Sequence, residues 1–448
     1  MNQGEGQEKV VTSDWLAEQL TGRSAPVIAD DVAVLIRRGR LAAGAQLPSV
    51  RALAARLGVS PSTVSAAWTR LKQQGLITSH GRSGSRVVGE RPTPFPARYR
   101  ANPNYDRSIP INLSVSVPEL ELLPDLRYAT GRISADGLNS YERERITPGL
   151  EAAVRPSWPY PAQSLLTTNA GYEGIHLVLS TFIRAGDRIV LETPALPRMI
   201  DLGEVLGARM LFAPRDAEGL RPEALRSQLE FAPTLILLQP GVHNPSGASM
   251  SKRRAQELAE LIRATDSIVV EVDQQNTLFP DPIHPLSALL PDQHVFIRSY
   301  SKSHGPDLRI AVLEGPERIV QKVHAFLEYG SGWTSRILQN TLAWMLQDPG
   351  VNEEVSNAAM EYRRRAMALR GALRSRGLKV STGHGLELMV SVRDEQYASG
   401  YLRSGGVAVG LGSPYAGDPD YPWIRVSTGK LDIDCVEDLA DLIAAAAS

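Results

Sequence analysis

The sequence predicts an α/β protein in two unequal modules, a small helix-turn-helix with a hairpin wing and a much larger domain of parallel strands joined by crossover helices. Three observations carry this. The 448 residues exceed one ordinary core, since a domain averages ~150 residues. From Val32 to Gly89 there is no Asp or Glu, although the whole chain balances 48 Lys and Arg against 49 Asp and Glu, for a net charge of -1. Beyond Ile111, apolar runs such as RIVLE, TLILLQP, IVVEVD and HVFIRSY alternate with amphipathic stretches.

In the N-terminal module, Thr12 or Ser13 caps a short helix through Leu20, and Val32 to Arg38 reads as a second helix. Pro48-Ser49 starts a third, holding Leu53, Ala54 and Leu57, and Gly58 stops it. Ser60 caps a fourth, in which Pro61 suits the first turn and Val64, Ala67, Trp68 and Leu71 form the buried stripe. Ser62, Thr63, Ser65 and Arg70 face outward. Small polar residues there permit close approach to a major groove, so the expected partner is double-stranded DNA. Leu76 to Val88 alternates and breaks at Gly81 and Gly84, which predicts a wing with Arg82 and Arg86 near its tip, suited to phosphate or minor-groove contact. Taken singly, each arginine reads as solvated surface; their joint placement argues against that.

The run G-x-L-x-x-G-x-x-L-P-S-x-R-x-L-A-x-x-L-G-V-S-x-x-T-V, Gly39 to Val64, resembles the GntR family of winged helix-turn-helix repressors. The resemblance implies that Ser49, Arg51, Ser62 and Thr63 contact DNA, with Gly84 in the wing. The module is placed at residues 12–90 and a Pro- and Arg-rich tether at 91–110, leaving 111–448 for the α/β domain. The single cysteine, Cys435, leaves no internal disulfide and no cysteine-cluster metal site, and reads as a structural thiol. No apolar stretch approaches the ~20 residues needed to span a bilayer, so a cytoplasmic protein is expected.

Ligands of parallel sheets gather at C-terminal strand ends. There HVFIRSY leads into Ser299-Tyr300-Ser301-Lys302 and, past a glycine-containing loop, to Arg309 at the start of another strand. A lysine at a strand end beside small hydroxyls is open to desolvation, which depresses its pKa and suits it to Schiff-base chemistry; the plainer reading is a solvated lysine. Two other strands end in Asn244-Pro245-Ser246-Gly247 and in Asp273. A pyridine aldehyde bearing a phosphate needs a lysine, a carboxylate for the ring nitrogen, a donor for the ring hydroxyl and phosphate contacts, and each type is available. Asn169-Ala170-Gly171 precedes a helix whose free N–H groups favour an anion, an ordinary helix start being the alternative.

N-P-S-G at Asn244, S-x-S-K-x₆-R from Ser299 through Lys302 to Arg309, and I-R-V-S at Arg425 resemble the aminotransferase class I/II fold, which binds pyridoxal phosphate. This implies a three-layer α/β domain with a predominantly parallel sheet and a small C-terminal α+β subdomain. It also implies Lys302 as the Schiff-base lysine, Asn244 on the ring hydroxyl, Ser299 and Arg309 on the phosphate with Ser301, Ala170 and Gly171 nearby, and Arg425 on a substrate carboxylate. A GntR-type head joined to such a body resembles the MocR subfamily, which implies a head-to-tail homodimer whose DNA binding responds to the cofactor and an amino-acid-like effector.

Three positions depart from the pattern. Val272 stands where the ring-nitrogen carboxylate is usual, so Asp273 can serve only if the strand ends early or twists. Gln274 replaces an aromatic or His, and Leu196 replaces the aromatic that stacks on the ring, forgoing ~0.5–1.5 kcal/mol. Arg198 is a second candidate for an effector carboxylate, or else a surface ion-pairing residue. Three functions stay open: a regulator using pyridoxal phosphate, a regulator that has lost it and senses another metabolite, and a working aminotransferase with a DNA-binding head.

Overall fold

The computed structural model describes residues 11–73, 75–79, 84–88, 98, 109–133, 135, 137–275, 277–415 and 422–447. The chain divides into two compact units between Phe95 and Pro96. In the first, Ser13–Glu18 (α1) begins where the Thr12 hydroxyl accepts the Trp15 N–H at 3.3 Å. Ala25–Arg37 (α2) starts well before Val32, because Pro26 in its first turn presets the helical φ. Val50–Leu57 (α3) is capped by Ser49, whose Oγ accepts the Ala52 N–H at 3.2 Å, and closed by Gly58 at φ 67°. Pro61–Gln73 (α4) then buries Val64, Ala67, Trp68 and Leu71 against Leu53, Leu57, Ile28 and Val32. Ile77–Ser79 (β1) and Ser85–Val87 (β2) pair antiparallel as the wing, Ile77 opposite Val87.

The acid-free stretch is not an unrelieved positive surface. Arg56 pairs with Asp14 at 2.6 Å and Arg70 with Asp30 at 3.8 Å, both acids coming from upstream of Val32.

The second unit opens with Ile111–Leu113 (β3). Its large sheet is built from Ser164–Thr168 (β4), Arg188–Thr193 (β5), Arg209–Asp216 (β6), Gly219–Leu220 (β7), Leu235–Leu238 (β8), Ile268–Asp273 (β9), His294–Ser299 (β10) and Ala311–Gly315 (β11). The order is β4-β11-β10-β9-β8-β5-β6-β7. The strands from β10 to β6 are mutually parallel; β11 is antiparallel to both neighbours and β7 to β6. Helices Gly171–Phe182, Pro197–Val205 and Glu317–Leu327 cover one face, packing on Ile189, Leu191, Val270, Val272, Val295 and Ile297. Pro222–Leu229 and Lys252–Arg263 cover the other, packing on Val190, Ile236 and Val269. Neighbouring side chains of a strand alternate between these faces, so Val272 and Asp273 point to opposite sides.

A second sheet, ordered β12-β14-β13-β3, joins Glu387–Ser391 (β12), Val407–Leu411 (β13) and Trp423–Ser427 (β14) to β3. The C-terminal subdomain is thus completed by the strand that begins the body, running parallel to β13 with Leu113 in the shared core. Within the stretch read as a tether, Arg98 is described, and it is held: it bonds Asp201 at 2.9 Å and both Glu204 oxygens at 2.7 and 2.8 Å. Among the described residues no helix is long and apolar enough to cross a membrane.

The two sheets meet where the Asn244–Gly247 turn lies against residues 383–385. The Gly247 carbonyl accepts the His384 N–H at 2.8 Å. A Cβ on Gly247, at φ +69°, would stand 1.9 Å from the His384 oxygen, and one on Gly383 1.9 Å from the Gly247 carbonyl carbon. Gly247→Ala is therefore expected to destabilise the body by roughly 3 kcal/mol, through left-handed strain plus the clash, read as a lowered melting temperature.

Candidate functional site

The site in the body assembles at the C-terminal ends of β8, β9 and β10 beneath the small sheet. Lys302, past β10, donates from Nζ to the Ser116 carbonyl. Burial holds its amine below the ordinary lysine range; the Glu387 carboxylate opposes this shift and Arg425 adds to it. Asn244 is clamped by Gln239, whose Oε1 accepts its backbone N–H at 3.1 Å and whose Nε2 donates to its carbonyl at 3.2 Å. Its Nδ2 donates to Glu387 Oε1 at 2.8 Å, while its buried Oδ1 has no partner among the described residues. Behind the turn, the Arg215–Glu192 pair, 2.8 Å and nearly solvent-free, donates to the Ser246 hydroxyl through Arg215.

Around the start of helix Gly171–Phe182 a second group gathers. No side chain caps this helix. Ala170, at φ 77° and ψ 164°, holds a conformation that is essentially glycine-only, a strain of about 1–3 kcal/mol. Gly171 lies against Ser299: an added Cβ would sit 3.4 Å from Ser299 Cβ. Ser299 Oγ accepts the Ser301 N–H at 3.4 Å. Arg309 does not open β11. It precedes the strand in the left-handed region, φ 50°, and reaches the Asn169 carbonyl at 3.1 Å. Gly171, the Ser299 and Ser301 hydroxyls and Arg309 thus gather at one helix start, groups that could hold an anion, while the Glu173 carboxylate of the first turn is taken up by the Asn169 amide at 3.0 Å.

Asp273 is not brought into this constellation. It shares the opposite face of the sheet with Arg298, which pairs with it at 3.1 Å, both side chains buried. Arg298 also donates to the Ser157 carbonyl at 2.8 Å and lies 4.7 Å from the Trp158 ring centre. The strand keeps its register with β10 through Asp273, so the face that packs with Leu196 and Tyr415 carries Val272, 1 % exposed. Leu196 is buried in the core on that same face. Arg198 stacks on Tyr172 at 3.9 Å, next to Gly171 in the first turn of that helix. Gln274 is half-buried, and its neighbour Gln275 reaches the centre instead, donating to Glu387 Oε2 at 2.9 Å.

Arg425, on β14, is 7 % exposed. It donates to the Tyr415 hydroxyl and the Ser114 carbonyl, its Nε has no partner, and no carboxylate among the described residues pairs with it. Glu387, Gln275, Ser114, Ser116 and Tyr415 are site residues that sequence reasoning did not find. Glu387 carried one signal: in Leu386 to Val390 it is a charged residue on a strand that is otherwise apolar.

In the head, the Ser60 hydroxyl accepts the Thr63 N–H at 3.2 Å and lies 2.7 Å from Ser62 Oγ and 2.8 Å from Thr63 Oγ1, a cluster of hydroxyls at the start of α4. Arg51, Ser62 and Ser65 are exposed. Ser49 is committed as the α3 cap, and Arg70 lies in the last turn of α4, away from the hydroxyls. Arg86 is half-buried and donates to the Gly44 carbonyl at 3.3 Å, tied to the head rather than free at a tip. Gly84 has φ +79°; Arg82 lies outside the described residues.

Two family models match: bacterial regulatory proteins of the gntR family over residues 25–87, and aminotransferase class I and II over residues 108–443. The chain is 30 % identical over 434 residues to the vitamin B6 salvage pathway transcriptional repressor PtsJ of Salmonella typhimurium, covering 94 % of this chain and 98 % of that one. It is 27 % identical to the HTH-type pyridoxine biosynthesis transcriptional regulator PdxR of Corynebacterium glutamicum, covering 77 % and 78 %. In fold the body is similar to a kynurenine aminotransferase of Pyrococcus horikoshii, with a TM-score of 0.70 at 19 % identity, covering 80 % of this chain and 95 % of that one. A GntR-type head, an aminotransferase class I and II body and full-length likeness to such regulators together make the chain a member of the MocR subfamily of GntR transcriptional regulators.

Proposed function

We propose that this regulator binds double-stranded DNA through its head and holds pyridoxal phosphate in its body as a sensing ligand, with an amino-acid-like effector anchored at Arg425. One observation carries the reading: the groups that bind such a cofactor converge, whereas the group that makes it a strong electron sink does not. Lys302 offers a buried amine with a depressed pKa, Asn244 an amide with an unsatisfied oxygen, and the start of helix Gly171–Phe182, with Ser299, Ser301 and Arg309, an anion site. Val272 leaves the ring nitrogen without a carboxylate, and Asp273 is engaged by Arg298. Pyridoxal phosphate supplies an aldehyde for amines and, when its nitrogen is held protonated, a sink for electrons. Under this reading the body is not a working aminotransferase.

The partial names of the relatives, vitamin B6 salvage and pyridoxine biosynthesis, agree with a ligand of this class. Arg51 and the hydroxyls of Ser60, Ser62, Thr63 and Ser65 are assigned to the DNA, as phosphate contact and groove surface. Tyr141 and Tyr329 are each about nine-tenths exposed, and their surroundings are linked by the Tyr141–Trp333 ring contact and the Arg143–Glu328 pair. So exposed an aromatic patch supports a homodimer built through the body.

Purified protein mixed with pyridoxal phosphate is expected to acquire the visible absorbance of covalent capture, and Lys302→Ala to lose it while remaining folded. Protein that stays colourless would favour a body that has lost the cofactor. Because burial lowers the Lys302 pKa, the neutral amine persists to lower pH than for a free lysine, and capture should fade only as pH drops through that depressed value. Val272→Asp should raise transamination of an amino-acid panel by about 100-fold over wild type if the missing carboxylate is what limits chemistry. A wild-type protein that already turns over rapidly would show the body to be an enzyme.

A further inference from the structure

We propose that Glu387 selects an effector that carries an ammonium group, so that the site takes a zwitterionic amino acid in preference to the matching acid without the amine. This rests on the reading of Arg425 as the effector's carboxylate anchor, and adds to it the second half of the ligand.

The register of the small sheet makes the pairing. Met389 of β12 lies opposite Arg425 of β14, and Glu387 opposite Ser427. Residues two apart share a face, so Glu387 and Arg425 are diagonal neighbours on the same face, their backbones about 7–8 Å apart. Both are buried, at 1 % and 7 % exposure. Yet these opposite charges do not meet, and each is answered by neutral groups. Arg425 donates to the Tyr415 hydroxyl and the Ser114 carbonyl. Glu387 Oε1 accepts from the Ser116 hydroxyl and from Asn244 Nδ2, and Oε2 from Gln275 Nε2. Lys302 feels both charges, but its amine donates to the Ser116 carbonyl and not to Glu387.

Two buried charges held apart by neutral partners are costly, and one ligand carrying both complementary charges relieves both. Each has room for it. A carboxylate has about four acceptor positions, two on each oxygen, and among the described residues Oε2 of Glu387 uses only one. The Nε of Arg425 is likewise without a partner. A plain carboxylic acid would answer Arg425 and bring its negative charge towards Glu387. An amino acid answers both.

The test is calorimetric titration of the full-length protein, with and without saturating pyridoxal phosphate, by the proteinogenic L-amino acids, each paired with its deamino acid, as L-alanine with propanoate. The expected result is an amino acid that binds at least about tenfold more tightly than its partner acid, the scale of one charge-assisted hydrogen bond. Glu387→Gln should erase that preference, weakening the amino acid about tenfold while leaving the acid unchanged or improved. Glu387→Asp, which keeps the charge, should retain it, and thermal unfolding verifies that both variants are folded. An unchanged preference in Glu387→Gln overturns the assignment. Arg425→Gln separates the two layers: loss of both ligands there, with preference unchanged in Glu387→Gln, sinks only the role of Glu387. Indifference to Arg425→Gln, or no binding of any pair by wild type, sinks the effector reading as well.

Discussion

Everything in the body's site depends on one close approach of two backbones, Gly247 against Gly383. Neither position has room for a methyl group. Because the Asn244–Gly247 turn and the residues before β12 can touch backbone to backbone, the small sheet seats directly on the C-terminal ends of β8 and β9. That seating brings Glu387 to 2.8 Å from Asn244 and within electrostatic reach of Lys302. A bulkier contact would lift β12 and β14 away, and with them Glu387 and Arg425. The unusual feature of the site, a buried arginine and a buried carboxylate that answer neutral partners and not each other, beside a buried lysine, follows from it.

Strand alternation then decides what the site can do. On β9, Val270 and Val272 pack into the core that also holds Ile297, while Asp273 turns to the far face and pairs with Arg298. Under the proposed reading, a one-residue difference in where an acid sits in the strand would separate an electron sink from the ion pair that Asp273 makes with Arg298. The strained backbones at Ala170 and Arg309 persist despite their cost, in keeping with backbone strain concentrating where ligands bind.

Much of this was legible in the sequence. The helix-turn-helix was, because Ser49, Gly58, Ser60 and Pro61 are local signals of cap, stop and start that need no tertiary context. The parallel strands were legible as apolar runs, two of them ending in Asp273 and Ser299 as read, whereas β8 stops at Leu238 and Asn244 lies in the turn beyond it. What sequence alone could not give was register and long-range pairing. The face of Asp273 depended on whether β9 stayed regular. Glu387, Gln275 and Ser116 are site residues only because elements far apart in the chain converge. Apolar periodicity alone starts α2 at Val32, whereas Pro26 fixes its first turn earlier, and the acids that pair with Arg56 and Arg70 lie just outside the acid-free stretch.

The central claim is that ligand in the body and DNA on the head report on each other. Its most direct test is reciprocal titration. A labelled operator, selected from genomic DNA by repeated binding, is titrated with protein with and without saturating pyridoxal phosphate, and pyridoxal phosphate is titrated with and without operator. The account predicts that the two affinities shift by the same factor, in the range of roughly 5–150-fold, as thermodynamic coupling of two sites requires. Operator affinity that is identical in the two ligand states would contradict it.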